Sequence, residues 1–260
     1  MDLSNVTPVI LTYNEELNIR RVLEKLRWAK DIVIVDSLST DRTVEIAKRF
    51  ANVKVLTRAF DTHERQWNYA IHDSGVATEW VLTLDADYVL ADGAPTEIAA
   101  LKPDSAVGGF EVAFRYCVKG RPLPRAMLPN RVVLFRRARG RFRQDGHTQR
   151  VHVEGEIGRL RAPIDHDDRK SLSRWLTAQD RYAQLERDKL LASPEGLKVP
   201  DRIRKAGIFA PIAVLVYLLL IKRLAFAGLA GWHYTYQRVT AEIVLSLYLI
   251  ESALTAREKH

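Results

Sequence analysis

Four short apolar runs fall within the first ninety residues, separated by amphipathic stretches, and each run ends in polar residues. Val6–Leu11 leads into Thr12-Tyr13-Asn14-Glu15, and Asp31–Val35 into Asp36-Ser37. Val53–Leu56 is followed by Arg58, and Trp80–Leu84 by Asp85-Ala86-Asp87. The intervening segments carry helical signals. Asn14 is the expected N-cap of a helix with Ile19, Val22, Leu23 and Leu26 on one face, and Ser39-Thr40 is expected to cap Asp41–Phe50. Thr62–His72 reads as a third helix. Runs with unbroken apolar character are buried on both faces, and strand–helix alternation predicts a doubly wound, mostly parallel α/β sheet. Such sheets bind ligands beyond the carboxyl ends of their strands, where these polar residues lie.

With 260 residues, 47% hydrophobic and 28% charged, the chain can bury a substantial core and is neither disordered nor collagen-like. Cys117 is the only cysteine, so no intramolecular disulfide is possible. The N-terminal apolar run is too short and too acid-flanked to be a signal peptide, which gives a cytosolic expectation. The net charge of +8 is unevenly spread: residues 1–118 are acidic on balance, whereas Lys119–Arg143 holds nine basic residues and no acid. A basic patch on an acidic background points to phosphates or an anionic membrane surface, and argues against nucleic acid as a partner. Arg121, Arg125 and Arg131 in that patch are candidates for holding a diphosphate or a phosphorylated acceptor through their bidentate forks.

Beyond residue 90 the pattern changes. Val107–Tyr116 and Arg131–Phe135 read as strands, Leu172–Leu190 as an amphipathic helix and residues 191–201 as a linker. Gly207–Ile221 has fifteen residues without a charge, bracketed by Arg202, Arg204 and Lys205 before it and Lys222 and Arg223 after it. It is shorter than the roughly 17–25 residues that span a bilayer, and so is Ile243–Ile250. No acid occurs from Arg202 to Ala241, and Trp232, Tyr234 and Tyr236 suit the headgroup level. These features predict an in-plane, monotopic attachment, with a core helix or oligomer interface as the alternative.

Asp85 and Asp87 close the fourth strand with two hard oxygen donors, the kind that Mg²⁺ or Mn²⁺ takes while bridging to a diphosphate. Asp36, at the end of the second strand, is placed to accept hydrogen bonds from a base or a ribose. No Gly-x-Gly-x-x-Gly and no Walker sequence occur, so Rossmann and P-loop readings lose their main support.

PVILTYNEELNI, IVIVDSLSTDRT, ERQWNYAI and WVLTLDAD together resemble, in order and spacing, the nucleotide-binding half of family 2 glycosyltransferases with the GT-A fold. The likeness is strong over residues 6–90 and extends more weakly to about 190. It implies that Thr12, Tyr13, Glu15, Asp36 and Ser37 hold the nucleoside, that Arg65 and Asn68 line the donor site, and that Asp85 and Asp87 bind metal and diphosphate. Arg131 is counted with the donor-binding residues. His166 matches a late histidine that completes the metal shell. An inverting transfer needs a base for the acceptor hydroxyl. Where the family has Glu-Asp and His-Glu this chain has Gln144-Asp145 and His147-Thr148, so Asp145 is the expected base, with His147 as neighbour or substitute. SLSRW at 171–175 lacks the Gln of the processive Gln-x-x-Arg-Trp, which favours a single transfer.

The reading is therefore an α/β chain with a GT-A domain over residues 1–195 (nucleotide half 1–90, acceptor half 91–195) and a helical membrane-associating segment over 196–260. It would move one sugar from a nucleotide-sugar, a UDP-sugar, to a lipid-linked or lipopolysaccharide-type glycan at the cytoplasmic face of the inner membrane, with Mg²⁺ or Mn²⁺. A polyprenyl-phosphate acceptor, which needs no base, and a non-catalytic nucleotide-binding membrane module are the alternatives.

Overall fold

The structure is a computed structural model that describes residues 1–124, 128–145, 148–192 and 199–258, except for the side chains at 144, 145, 148 and 200. It divides into two compact units. One comprises Met1–Pro122 with Met127–Arg169, the other Leu123–Ala126 with Lys170–His260. The break at Arg169/Lys170 falls upstream of the boundary expected at 195/196, because the long helix after residue 170 packs with the C-terminal helices.

In the first unit β1 (Val6–Thr12), β2 (Ile32–Asp36), β3 (Val53–Thr57) and β4 (Trp80–Asp85) alternate with α1 (Ile19–Glu24), α2 (Thr43–Ala47) and α3 (His63–Asn68). They are followed by β5 (Tyr88–Leu90), α4 (Ala94–Ala100), β6 (Val107–Val118), β7 (Arg121–Pro122), β8 (Arg131–Arg136), β9 (Gly140–Asp145), β10 (Thr148–Val153) and β11 (Glu156–His166). Among the described residues the main sheet has nine strands in the order β3-β2-β1-β4-β8-β6-β11-β5, with β7 paired to β6, and β9–β10 forms a separate hairpin. β3, β2, β1 and β4 are mutually parallel. Beyond β4 the sheet is mixed: β8 runs antiparallel to β4 and β6, while β11 is parallel to β6. The mostly parallel character expected from the sequence therefore holds for the first four strands and gives way after residue 90, where alternation with helices stops.

Side-chain alternation along the strands builds two cores. Ile10, Ile32, Ile34, Leu82 and Leu84 point to one face, with Ile19, Leu23 and Leu26 of the α1 region and Ile98 of α4. Val9, Val33, Val35 and Val81 point to the other, under Trp67, Ile71, Phe135 and Phe142. Each such buried side chain contributes roughly 1.5–3 kcal/mol by area, which is why these strands read as continuous apolar runs.

Two local expectations are corrected. Asn14 does not cap α1; it adopts a left-handed conformation (φ 55°), and its Oδ1 accepts from Thr40 N at 2.7 Å and Asp41 N at 3.3 Å. α2 starts at Thr43 rather than Asp41, and Asp41 Oδ1, not Ser39 or Thr40, takes the Thr43 N–H at 2.9 Å. Asn14, Ser39 and Thr40 hydrogen-bond each other across the β1 and β2 ends, which leaves the cap of α2 to Asp41.

The second unit contains α5 (Leu172–Ala192), α6 (Val199–Lys205), α7 (Ala210–Val216, continued by a wider turn to Ile221) and α8 (Gly228–Glu258). Its core is Ala183, Leu190, Leu245 and Leu249. Ile243–Ile250, read as a run too short to cross a membrane, is part of the continuous 31-residue α8, which is long and apolar enough to cross by length and composition. Of the aromatic residues expected at the headgroup level, Tyr234 is buried inside the unit and Tyr236 is exposed.

Candidate functional site

The parallel register brings the ends of β1, β2, β3 and β4 to one edge of the sheet. Thr12 pairs with Asp36 and Asp36 with Thr57, while Leu11 pairs with Asp85. The buried Asp36 carboxylate accepts from Thr12 Oγ1 at 2.7 Å, Ser39 Oγ at 2.6 Å and Ser39 N at 2.8 Å. Ser39 Oγ also receives Asn14 N at 2.7 Å. Ser37, buried beside them, donates its N–H to Thr12 O at 2.9 Å and receives Gln66 Nε2 on its hydroxyl at 3.1 Å. Gln66 is fully buried, receives Arg58 on its carbonyl oxygen, and so ties the β2 end to the β3 end. Tyr13, by contrast, is exposed at the lip.

β11 is parallel to β6, and β6 and β4 both run antiparallel to β8, so His166 at the end of β11 comes to the same edge as Asp85. β5 runs back along β11 with Tyr88 opposite His166, which sets Asp87 against the β11 terminus. His166 Nε2 lies 3.1 Å from Asp87 Oδ2, and its ring meets Tyr88 and Tyr116 edge-on at 5.2 and 5.1 Å. Burial opposes a charge on His166, but Asp87 and then Asp85 outweigh it and raise the imidazole pKa. Burial and the neighbouring Asp87 push Asp85 up, against the pull of Arg131 and a hydrogen bond to Tyr88. Arg131 begins the antiparallel β8, which is why it reaches this edge; its Nη1 donates to Tyr88 Oη at 3.2 Å.

Among the described residues no group of three or more His, Cys, Asp or Glu closes around a common point. The donor set nevertheless fits Mg²⁺ or Mn²⁺. Burial and then the neighbouring Asp87 raise the Asp85 pKa, an imidazole stands against Asp87, and its Nδ1 is buried with no partner among the described residues. A divalent cation relieves the repulsion between like charges.

A third cluster joins these corners, and sequence reading missed it. Asp167 is nearly fully buried and accepts from Arg21 Nη1 at 2.7 Å, Arg169 Nε at 3.0 Å and Gly120 N at 3.0 Å, while its own N–H donates to Asp87 O at 3.1 Å. Gly120 holds a left-handed φ of 81°, in a turn where a Cβ would come within 3.1 Å of the Arg169 guanidinium. Asn18 bridges onward, donating from Nδ2 to Glu15 Oε2 at 2.9 Å and Asp168 Oδ1 at 3.1 Å and accepting Arg21 Nη2 on Oδ1 at 2.6 Å. Glu15 is thereby fixed just beyond the end of β1. The only available sequence signal was the acid run Asp165-His166-Asp167-Asp168, which reads as a solvated loop.

Two further expected donor-site residues lie on α3. Asn68 Nδ2 donates to Phe142 O and its Oδ1 accepts Phe142 N, both at 3.0 Å, so its amide clamps β9 to α3. Arg65 lies in the first turn of α3, largely exposed and 3.8 Å from Asp61. Asp145 pairs through its backbone with Thr148 at the end of the β9–β10 hairpin; its side chain, all of His147, and Arg125 lie outside the described residues.

A family model described as glycosyl transferase family 2 matches residues 7–162, which takes in every strand carrying the two carboxylate corners except the end of β11. The chain belongs to this family. The lipopolysaccharide core biosynthesis glycosyltransferase LpsC of Rhizobium meliloti (strain 1021) is 27% identical over 236 residues, covering 86% of this chain and 83% of LpsC. The uncharacterized glycosyltransferase RT0209 of Rickettsia typhi is 33% identical over 97 residues; the chain spans about a third (32%) of the length of that relative. Among solved structures, residues 1–349 of TarS from S. aureus in complex with UDP-GlcNAc overlay on 95% of this chain and 92% of that one at 14% identity and a TM-score of 0.49, a likeness too distant to carry an argument.

Proposed function

We propose that this glycosyltransferase moves one sugar from a UDP-sugar to a lipid-linked or lipopolysaccharide-type glycan, with inversion, at the cytoplasmic face of the membrane. The observation that carries this reading is the pair of carboxylate corners on one sheet edge: Asp36 with its three donors, and Asp85 and Asp87 facing His166. Thr12, Ser37 and Asp36 would receive the nucleoside, with Tyr13 against the base and Glu15 held by Asn18. Asp85, Asp87 and His166 would hold Mg²⁺ or Mn²⁺. When bound, the cation neutralises charge that builds on the departing diphosphate. Arg131 adds a fixed positive charge beside Asp85, directed at the same oxygens without reorganisation. Asp145 would take the proton of the acceptor hydroxyl as that oxygen attacks the anomeric carbon, so the carbon–oxygen bond to the diphosphate breaks on the opposite face. The similarity to LpsC, which extends over most of both chains, supports a lipopolysaccharide-type acceptor.

A panel of nucleotide-sugars, scored for metal-dependent release of nucleoside diphosphate with membrane extract as acceptor, tests the reading. UDP release that needs both Mn²⁺ and extract is the expected result. Release with neither dependence contradicts it. Near-wild-type turnover in Asp145→Asn, with none in Asp87→Asn, would replace the hydroxyl acceptor with a phosphate acceptor.

A further inference from the structure

α7 and α8 each leave an apolar stripe uncovered. Phe209 and Leu220 stand out at 65% and 67% exposure on the first, and Ile243 and Leu247 at 44% and 61% on the second. The chain reverses between them through left-handed Arg223 and Gly228, and the corner thrusts out Phe226 and Leu229 at 87% and 89%. Large apolar side chains are seldom this exposed in one place without a partner. The charges beside the corner specify which partner. Lys222 and Arg223 immediately precede it, and no acid occurs from Arg202 to Ala241. An apolar wedge flanked by bases matches an anionic lipid headgroup layer over hydrocarbon.

Alone, α8 would pass as a membrane span. Its 31 residues extend roughly 46 Å, more than a hydrocarbon core of about 30 Å. Its packing argues otherwise. Near the middle of the helix, buried Glu242 accepts Arg204 Nη2 of α6 at 2.6 Å, and the same guanidinium lies 3.9 Å from buried Glu186 of α5. A crossing α8 would carry this ion cluster to the bilayer midplane, with Arg202, Lys205 and Asp201 of the short α6 close behind. Each such charge is costly there.

We propose that α7 and α8 dock in the plane of an anionic lipid surface, with the Phe226–Leu229 corner entering deepest and α8 lying along the bilayer without crossing it. This deepens the membrane-face part of the proposed function and rests on it.

The test uses the full chain. Sedimentation with vesicles of phosphatidylcholine and phosphatidylglycerol at 7:3 is expected to exceed that with phosphatidylcholine alone. Phe226→Asp/Leu229→Asp should lower vesicle binding at least tenfold while UDP binding and circular dichroism stay unchanged. Lys222→Gln and Arg223→Gln should each lower it about fivefold, the scale of one basic residue near the surface. Orientation is read with Ala227→Cys and Glu258→Cys and an impermeant maleimide. Native Cys117 is buried, with its thiol pushed up to about 12, and does not compete. Glu258→Cys should label in inverted membrane vesicles and not in intact spheroplasts, and Ala227→Cys, inside the corner that enters the bilayer, should label in neither. Labelling of the two from opposite sides would overturn the proposal, as would a wild-type chain that ignores both vesicles and instead buries the face in a dimer. Vesicle binding that persists in a chain unable to bind UDP would break the transferase reading and leave this one standing.

Discussion

Asp36 and Asp85 end neighbouring parallel strands on either side of β1, yet their surroundings are opposite in kind. Asp36 has its hydrogen bonds supplied from its own unit, by Thr12 and Ser39, so this corner is ordered by the fold itself. Asp85 has Asp87 for a neighbour, and burial together with that like charge lifts its pKa. The first corner is built from neutral donors and is preorganised by the fold. The second packs two carboxylates against His166 and Arg131; on the proposed function the first is a rigid recognition end and the second an ion-dependent chemical end.

The sharpest way to break this contrast is to remove charge from the chemical end. Asp87→Asn should lower transfer by about 10²–10³-fold, the scale for losing one preorganised electrostatic contact, and leave folding intact. Steady-state kinetics with saturating Mn²⁺ checks it, and a loss below tenfold would mean that the two corners do not differ in this way.

Next in size is the link between the corners. Asp167→Asn removes the buried carboxylate that Arg21 and Arg169 share. Breaking a buried ion pair on one side costs about 3 kcal/mol, to be read as a lower denaturant midpoint in unfolding. Because Asp167 N also holds Asp87 O, Mn²⁺ affinity should fall in the same variant. Unchanged stability would make the hub a surface feature.

The smallest effect is expected at the recognition end. Thr12→Val deletes one of three donors to Asp36 and leaves a buried acceptor short, at about 1–2 kcal/mol. UDP affinity should drop roughly tenfold, with its metal dependence retained.

The strands and their polar ends were legible because both periodicity and burial act locally: Ile10 and Val9 go to opposite cores simply by alternating. Asp36, Asp85 and Asp87 were legible because they terminate such strands. The hub at Asp167 was not, since its partners Arg21 and Gly120 lie far away in sequence, Gly120 being brought to it by the β6–β11 pairing. Asn68 was legible from its place in ERQWNYAI, but not that its amide would clamp β9 to α3. Gln66, two positions earlier, was passed over although it is a fully buried polar residue of that segment. In α8 the apolar runs were visible, but the residues between them, such as Glu242, read as interruptions until their ion pair with Arg204 was seen.

The central claim is that a divalent cation at Asp85, Asp87 and His166 completes the grip on a donor whose nucleoside is already received at Asp36. Isothermal titration of UDP, in Mn²⁺ and in EDTA, measures this directly on the wild-type chain and on Asp87→Asn. The account predicts at least tenfold tighter binding with Mn²⁺ in the wild type and no metal effect in the variant. Equal UDP affinity with and without Mn²⁺ in the wild-type chain would contradict it.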